Sequence, residues 1–271
     1  MATSHPGLEA LGSMDWINRR AWRAPSVVRA FRRKEGWTDP GERAAVESVR
    51  AEMADQPILD LGVGAGRTVP LLLSISRDYV GLDYTPEMVW VCREEHPGVR
   101  VAHGDARDLA RFHDGSFQLV VFSFNGIDAV NPTDRLRVLR EAYRVLRPGG
   151  ALLFSTHNKD GPDHGERLRA RHPLRLASRL ALALVDGGHA LRSYGRYSKL
   201  THEGDGYSVH RTSADDEGVI VHYITLEKQL RQLESVGFRP GALAWASSDG
   251  RSLSCWQDTS DASRFHLVTR K

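Results

Sequence analysis

The sequence predicts an α/β protein with a doubly wound, mostly parallel sheet of seven strands. Five short apolar runs alternate with helical patterns between residues 57 and 156. Because crossover helices join parallel strands and cover both faces of their sheet, this alternation predicts a parallel arrangement. Two more strand-like runs follow near the C-terminus, around residues 242–246 and 265–269.

Residues 1–56 are predicted to form a helical cap. Apolar residues recur at helical spacing from Asp15 to Phe31, and Pro25 requires a break or a restart. The segment Thr38-Asp39-Pro40 is typical of a helix N-terminus, because proline fits the first helical turn. We expect this last helix to run through Met53.

Residues 57–158 are predicted to form the core of the sheet. The expected strands are 57–61, 79–83, 99–103, 117–124 and 151–156, and the expected helices are 68–74, 86–96 and 133–146. Pro148-Gly149-Gly150 is expected to end the last of these helices.

The alternation breaks after Asn158, which predicts an insertion over residues 159–218. Its expected parts are a helix over 166–185 and a hairpin with strands 207–212 and 218–224. Such an insertion is suited to act as a lid over the substrate. Residues 219–271 then return to the sheet through a helix over 226–235, which Gly237 ends.

Charge, cysteines and hydropathy narrow the class of protein. The net charge of +3 is modest for 271 residues, so nucleic acid is not an expected partner. Cys92 and Cys255 lie far apart, the histidines are scattered, and no metal site is predicted. The longest apolar helical stretch has about ten residues, whereas a membrane span needs about twenty. Because the N-terminus also lacks a signal-peptide pattern, we expect a cytoplasmic monomer or homodimer without membrane contact.

A glycine-rich segment with an acidic residue follows the first predicted strand. In Asp60-Leu61-Gly62-Val63-Gly64-Ala65-Gly66 the glycines let the backbone turn tightly and approach a ligand closely. Dinucleotide-binding folds instead have G-x-G-x-x-G, with a later third glycine. A carboxylate at Asp60 would repel a pyrophosphate and attract the cationic amino group of an amino-acid ligand.

This pattern resembles motif I of the class I S-adenosylmethionine-dependent methyltransferases, which have a Rossmann-like fold. Later features in the family's order extend the resemblance over residues 57–157, and more loosely over 218–271. They are Asp83, Gly104-Asp105-Ala106, Ser123-Phe124-Asn125-Gly126 and Leu146-Arg147-Pro148-Gly149-Gly150.

The resemblance implies S-adenosylmethionine as the cofactor. It implies that Asp83 binds the ribose hydroxyls, that Asp105 meets the adenine amino group beside the Ala106 amide, and that Ser123 lies near the methionine part. Tyr84 and Met88 either line the adenine or pack in the core, and Thr68 either caps a helix or meets the ligand carboxylate. The full candidate set for the cofactor is Asp60, Gly62, Gly64, Gly66, Thr68, Asp83, Tyr84, Met88, Asp105, Ala106 and Ser123.

Candidates for catalysis lie where strands end, since open α/β sheets bind ligands at the carboxyl ends of their strands. These are Asn125 and Asp128 after the fourth strand, and His157 after the fifth. His157 is the preferred general base or hydrogen-bond donor, because an imidazole exchanges protons near neutral pH. It could equally be a histidine packed at a strand end. Asp128 either holds a substrate amine or caps the helix near Thr133.

The expected reaction is methyl transfer to an oxygen or nitrogen atom of a small molecule or peptide. An RNA or nucleobase methyltransferase is one alternative. Enzymes that methylate exocyclic amines of bases usually carry N/D-P-P-Y/F where this chain has Ser123-Phe124-Asn125-Gly126. A protein that binds S-adenosylmethionine without catalysis is a second alternative. A nicotinamide dehydrogenase is disfavoured by the glycine spacing and by Asp60.

Overall fold

One mixed sheet organises the structure, and helices cover both of its faces. The computed structural model describes residues 6–33, 36–164, 201–211, 219–254 and 257–271. The helices are α1 (Pro6–Trp22), α2 (Pro25–Arg32), α3 (Pro40–Arg50), α4 (Val69–Leu73), α5 (Pro86–Glu95), α6 (Pro132–Val145) and α7 (Leu226–Val236), with a 3-10 helix at Gly126–Ala129. The strands are β1 (Ile58–Leu61), β2 (Tyr79–Asp83), β3 (Val101–His103), β4 (Phe117–Phe122), β5 (Leu146–Asn158), β6 (His202–Gly204), β7 (Tyr207–Arg211), β8 (Ile220–Ile224), β9 (Leu243–Ala246), β10 (Ser252–Leu253) and β11 (Arg264–Arg270).

The strand order confirms the predicted α/β class. Across the sheet it is β10-β9-β11-β5-β4-β1-β2-β3. The strands from β3 to β5 run parallel, and β11 lies antiparallel between β5 and β9. The carboxyl ends of β1, β2, β4 and β5 therefore meet at one edge of the sheet, which is where ligands bind in open α/β folds.

The predicted hairpin extends this edge. β7 pairs with β8 antiparallel, and β8 pairs in parallel with the end of β5, with His157 opposite Tyr223. The described residues contain eleven strands, four more than the seven predicted for the main sheet. β7 and β8 are the hairpin strands, whereas β6 and β10, of three and two residues, are too short for a recognisable pattern. The predicted helix over 166–185 and the hairpin turn lie outside the described residues.

Apolar side chains fill both faces of the sheet. One buried cluster joins β4 and β5 to α6 and α7, including Leu139, Phe154 and Leu233. The other joins β1 and β4 to α3, α4 and α5, including Val46 and Cys92. All four residues of β1 are buried, as expected for a parallel strand with helices on both sides.

Helix caps follow the sequence signals. Asp39 accepts a hydrogen bond from the Glu42 amide at the start of α3, directly before Pro40. Gly237 ends α7 with a φ of 115°, a left-handed conformation that glycine adopts without a Cβ penalty. Both helix ends therefore lie close to their predicted positions.

Several boundaries differ from the prediction. α1 begins at Pro6 rather than Asp15, and α4 shortens to Val69–Leu73. β5 begins at Leu146, so that Pro-Gly-Gly lies inside the strand rather than ahead of it. The cause is tertiary: the Gly149 amide donates to the Lys271 carbonyl, and the Lys271 amide donates to the Gly150 carbonyl. The C-terminus thus supplies the pairing that prolongs β5.

Asn18 fixes α1 against the carboxyl edge of the sheet. Its side-chain amide donates to the Ala129 and Ile220 carbonyls at 2.7 Å each, and its oxygen accepts from the Ile220 amide. Asn18 is fully buried. Its side chain bonds both backbone groups of Ile220, as a neighbouring strand would do along this side of β8. None of the helices in the described ranges is both long and apolar enough to cross a membrane.

Candidate functional site

The glycine-rich loop lies at the end of β1. Gly62, Gly64 and Gly66 have φ values of 63°, 57° and 97°. A Cβ at Gly62 would lie 2.7 Å from the Phe122 ring, whereas one at Gly64 would meet only the Phe31 ring at an ordinary 3.6 Å. The nearest neighbour of Gly64 on this side is therefore a side chain of α2, and a ligand against the loop would lie beside the Phe31 ring.

Asp60 supports this loop from inside the fold. It is 1% exposed, and its Oδ2 accepts hydrogen bonds from the Thr68 hydroxyl and the Tyr79 hydroxyl, both at 2.8 Å. Burial raises the pKa of Asp60 to about 6, although these two hydrogen bonds oppose the shift. The Thr68 side chain makes no capping hydrogen bond to α4, and its hydroxyl donates a hydrogen bond to Asp60 instead. Both residues thus lie beneath the loop, with side-chain bonds to the protein.

Asp83 links the loop to the end of β2. Its Oδ2 accepts from the Gly64 amide and its Oδ1 from the Thr85 amide, each at 2.8 Å. Burial raises the pKa of Asp83, and the two amides work against that shift. A carboxylate has about four acceptor positions, and besides the two amides the Thr85 side chain also donates to Asp83, so acceptor capacity remains for a further hydroxyl donor.

Tyr84 and Met88 lie beside Asp83 in different surroundings. The Tyr84 hydroxyl is buried and has no hydrogen-bond partner among the described residues, and the Arg19 guanidinium lies 4.4 Å above its ring. Met88 is 3% exposed and packs with Val27 of α2 and Ala65 of the loop. Met88 therefore belongs to a small core between α2, α5 and the loop.

Asp105 is held by two arginines. Its oxygens accept from the Arg107 side chain at 2.7 and 2.9 Å and from Arg19 of α1. Burial alone would raise the pKa of Asp105, but the hydrogen bonds from Arg107 and Arg19 lower it to about 2. Ala106, the next residue, packs partly buried against the main core. The N-terminal helix thus reaches the turn after β3, where the adenine contact was predicted.

Ser123 belongs to a buried ion pair that sequence reasoning missed. Arg67, directly after the last glycine of the loop, pairs with Glu42 of α3 at 2.7 Å, and both side chains are almost fully buried. The Ser123 hydroxyl donates to Glu42 and accepts from Arg67. This group ties α3 and the end of β4 to the loop. An arginine next to the glycine motif was the available signal, but nothing local identified Glu42 as its partner.

The three predicted catalytic residues come together at the carboxyl edge. Asp128 is fully buried, and its Oδ2 accepts from the His157 backbone amide and from the ring Nδ1, both at 2.7 Å. Because a carboxylate only accepts, Nδ1 carries the proton and Nε2 keeps its lone pair in the neutral ring. Asn125 lies on the other side, with its Nδ2 3.4 Å from Nε2. His157 lies inside β5, near its end, rather than after it.

Arg135 compensates the buried charge of Asp128. It is fully buried on α6 and donates to Asp128 Oδ1, to the Thr156 hydroxyl at 3.0 Å and to Gln229 of α7. Burial alone would raise the pKa of Asp128, but the charges of Arg135 and His157 lower it. The signal for Arg135 was its place on the apolar face of α6, three residues before Val138.

Aromatic rings line the space between the loop and the histidine. Phe124 makes edge-to-face contacts with Phe31 at 6.0 Å and with Trp37 at 5.9 Å between ring centroids. Phe124 and Asn125 have φ values of 53° and 59°, a left-handed conformation that is strained for non-glycine residues. Strain of this kind concentrates at functional sites. The Tyr223 ring lies 5.1 Å from His157 on the hairpin side.

A Rossmann-like sheet with a glycine loop over β1 and a carboxylate at the end of β2 defines a nucleoside-binding fold. Residues 58–150 match a family model described as a methyltransferase domain. A probable S-adenosylmethionine-dependent methyltransferase of Mycolicibacterium smegmatis is 35% identical over 106 residues, 39% of this chain and 40% of that protein. A fatty-acid O-methyltransferase of the same organism is 32% identical over 142 residues, half of each chain.

A solved structure agrees on the fold. A methyltransferase from Thermotoga maritima, described as a possible histamine N-methyltransferase, superposes with a TM-score of 0.56 over 95% of this chain and 99% of that one, at 17% identity. Residues 58–150 of this chain therefore match a methyltransferase domain, and the chain shares the fold of a solved S-adenosylmethionine-dependent methyltransferase. It spans half or less of the length of the two curated relatives named above.

A substitution at Gly64 tests whether the loop holds the cofactor. We expect Gly64→Val to weaken S-adenosylmethionine binding by at least about tenfold in calorimetric titration, because the valine side chain would take the space beside Phe31 that a ligand against the loop needs. Gly98→Val is the matched control, because Gly98 has a φ of 90° and no atom within 4 Å of its Cβ position. Equal affinities of the two variants would exclude this loop as the binding element.

The buried carboxyl of Asp60 predicts a pH dependence of stability. Its folded pKa of about 6 lies above the ordinary value of 3.8. The stabilising contribution of its bound proton is therefore complete below pH 4 and is lost as the pH rises through 6. The free energy of unfolding of wild type minus that of Asp60→Asn should fall by about 3 kcal/mol between pH 4 and pH 7 in urea titrations. A difference that stays constant over this range would contradict the assignment.

Removing Arg135 should destabilise the protein strongly. Arg135→Met leaves the Asp128 carboxylate buried without its cation, so we expect the free energy of unfolding to fall by about 3–5 kcal/mol. The double variant Arg135→Met/Asp128→Asn should recover part of that loss. Arg137→Met on the same helix removes only an exposed ion pair and should cost about 0.5 kcal/mol. Similar losses at both arginines would refute a special role for the buried pair.

Proposed function

We propose that this protein transfers a methyl group from S-adenosylmethionine to an oxygen or nitrogen atom of a small molecule or peptide, with His157 as general base. The observation that carries the proposal is the Asp128–His157 pair at the carboxyl edge, with a 2.7 Å contact between the carboxylate and Nδ1. His157 is 22% exposed while Asp128 is fully buried, so the imidazole is the accessible member of the pair.

The residues around the loop fit the cofactor. Gly64 has the Phe31 side chain as its nearest neighbour on the ligand side, and Asp83 keeps acceptor capacity that suits a ribose hydroxyl. Tyr84 contributes a buried hydroxyl without a partner among the described residues, next to Asp83. We assign the ribose to Asp83 and the adenine to the space between Tyr84 and Asp105. Asp60 and Thr68 then act by shaping the loop.

Strand order places the histidine within reach of the loop. β4 separates β1 from β5, so Asp60 of β1 lies level with Leu153 of β5 at about 10 Å, and β5 runs on four residues to His157. Phe31, Phe124 and Asn125 border the space between the loop and the histidine and make a continuous path of contacts from Gly64 to His157. A bound methionine group and an acceptor would share that space.

The pair has the geometry of a general base. When bound, S-adenosylmethionine supplies a methyl group on a positively charged sulfur, so the protein mainly aligns the acceptor and excludes water. As the acceptor atom forms its bond to the methyl carbon and the carbon–sulfur bond breaks, His157 Nε2 takes the proton of the acceptor. Asp128 keeps the proton on Nδ1 and stabilises the imidazolium that forms.

The lining favours a compact acceptor with an apolar or planar body. Phe31, Trp37 and Phe124 present aromatic surface, and Asn125 offers a buried side-chain oxygen that has no partner among the described residues. Such a pocket binds an apolar body and orients one polar group. The M. smegmatis relative named as a fatty-acid O-methyltransferase is in line with an oxygen acceptor.

The test combines binding and labelling. Calorimetry should detect S-adenosylmethionine and its demethylated product but not NAD. The full-length protein is then incubated with methyl-labelled S-adenosylmethionine and, separately, the small-molecule and peptide fractions of the host's extract, and labelled products are identified by mass spectrometry. Binding without any labelled product would favour a non-catalytic protein, and label in added RNA would favour the nucleic-acid alternative.

The His157 pair predicts a split between turnover and binding. His157→Gln should lower turnover about 10²–10⁴-fold, the usual contribution of a general base, while the dissociation constant for S-adenosylmethionine stays within about twofold. Asp128→Asn should lower turnover in the same direction, because it no longer fixes the tautomer. His113→Gln, at an exposed histidine, serves as control. Unchanged turnover in His157→Gln would remove the residue from the mechanism.

A further inference from the structure

A second group of chemically active side chains lies on the hairpin side of Tyr223, outside the proposed catalytic pair. His164, in the segment after β5, meets Glu203 of β6 and His210 of β7. One potential ligand atom from each residue lies within 4.8 Å of the other two. No sequence motif links the three residues, because they are separated by 39 and 7 positions. They converge only when β6 and β7 pack beside the end of β5.

The contacts inside this cluster match metal ligation better than ordinary hydrogen bonding. His210 Nε2 lies 3.0 Å from Glu203 Oε1, yet this buried nitrogen has no hydrogen bond of acceptable geometry to any described residue. Two atoms that ligate one ion at about 2.1 Å lie about 3.4 Å apart at the tetrahedral angle, so the 3.0 Å separation is near that of two ligands of one ion. The rings of His164 and His210 stand at 79° to each other with centroids 5.0 Å apart, an arrangement suited to two ligands of one ion.

The surroundings leave the ligand atoms in place. Lys159 Nζ lies 2.9 Å from Glu203 Oε2 and 3.0 Å from the Tyr207 carbonyl, so it holds the second carboxylate oxygen and leaves Oε1 for an ion. One ring nitrogen of His164 lies 2.8 Å from the Ser208 hydroxyl, which orients the imidazole as outer partners do at metal sites. The Tyr223 ring packs against both imidazoles at 5.3 and 5.9 Å and shields the cluster.

We propose that His164, Glu203 and His210 form a site for a divalent transition-metal ion, with Zn²⁺ as the ion that the ligand set favours. Two imidazoles and one carboxylate suit Zn²⁺, and three protein ligands leave a fourth tetrahedral position for water. The ion joins the segment after β5 to the β6–β7 hairpin. Because Tyr223 contacts His157 as well as both histidines of the cluster, the ion also fixes one side of the acceptor pocket.

The experiment uses tag-free, full-length protein stripped with a chelator and titrated with Zn²⁺ against a fluorescent zinc indicator. Wild type should bind about one equivalent. Glu203→Gln and His210→Gln should each weaken binding more than about 100-fold, beyond the 10–100-fold typical of outer-shell changes. His202→Gln, at a histidine of β6 that is outside the cluster, should bind Zn²⁺ as tightly as wild type does.

Two further readouts separate ligation from misfolding. Circular dichroism should show that the variants keep the wild-type fold, and Zn²⁺ should raise the melting temperature of wild type and His202→Gln only. Co²⁺ should give visible absorption bands in wild type that Glu203→Gln lacks. The proposal is overturned if wild type fails to bind a stoichiometric ion, or if both cluster variants bind Zn²⁺ as tightly as wild type does. Neither result would bear on S-adenosylmethionine binding, so the two proposals fail separately.

Discussion

Asp128 lies where the 3-10 helix, β5 and α6 meet, and its buried carboxylate is bonded to the latter two of these elements. A buried carboxylate is tolerated only when its charge is compensated and its oxygens are bonded. Arg135 supplies the charge, and Thr156 and the His157 amide and ring supply the remaining donors. Because Arg135 also reaches Gln229, α7 is joined to the same group. The position of the His157 imidazole at the carboxyl edge is therefore set through Asp128, by bonds to β5 and α6.

The cofactor side of the molecule uses its carboxylates in a different way. Asp60 supports the glycine loop from beneath, and Asp83 links that loop to β2. Asp105 accepts hydrogen bonds from the side chains of two arginines. Only Asp83 combines backbone donors with spare acceptor capacity, which is the property that a ribose contact requires. The three aspartates are spaced similarly along the sequence but have different roles, because their burial and their hydrogen-bond partners differ.

The N-terminal helices bring a third group of contacts to this edge of the sheet. Asn18 binds α1 to β8, Arg19 bridges Tyr84 and Asp105, and Glu42 of α3 pairs with Arg67 behind the loop. Phe31 of α2 lies over Gly64. Each of the first three helices therefore contacts a different part of the predicted cofactor site.

The sequence by itself determined the α/β class, the course of β1 to β5 and the residues at their carboxyl ends, since period, glycine turns and caps are local signals. It also singled out Asn125, Asp128 and His157, because strand ends can be located from pattern. Only the tertiary structure decided which of these side chains bond to one another, placed Asp60 beneath the loop and paired Arg67 with Glu42. It alone lengthened β5 through Lys271 and brought His164, Glu203 and His210 together. The physical reason is that hydrogen bonds and ion pairs join residues far apart in the chain, and hydrophobic periodicity carries no information about such partners.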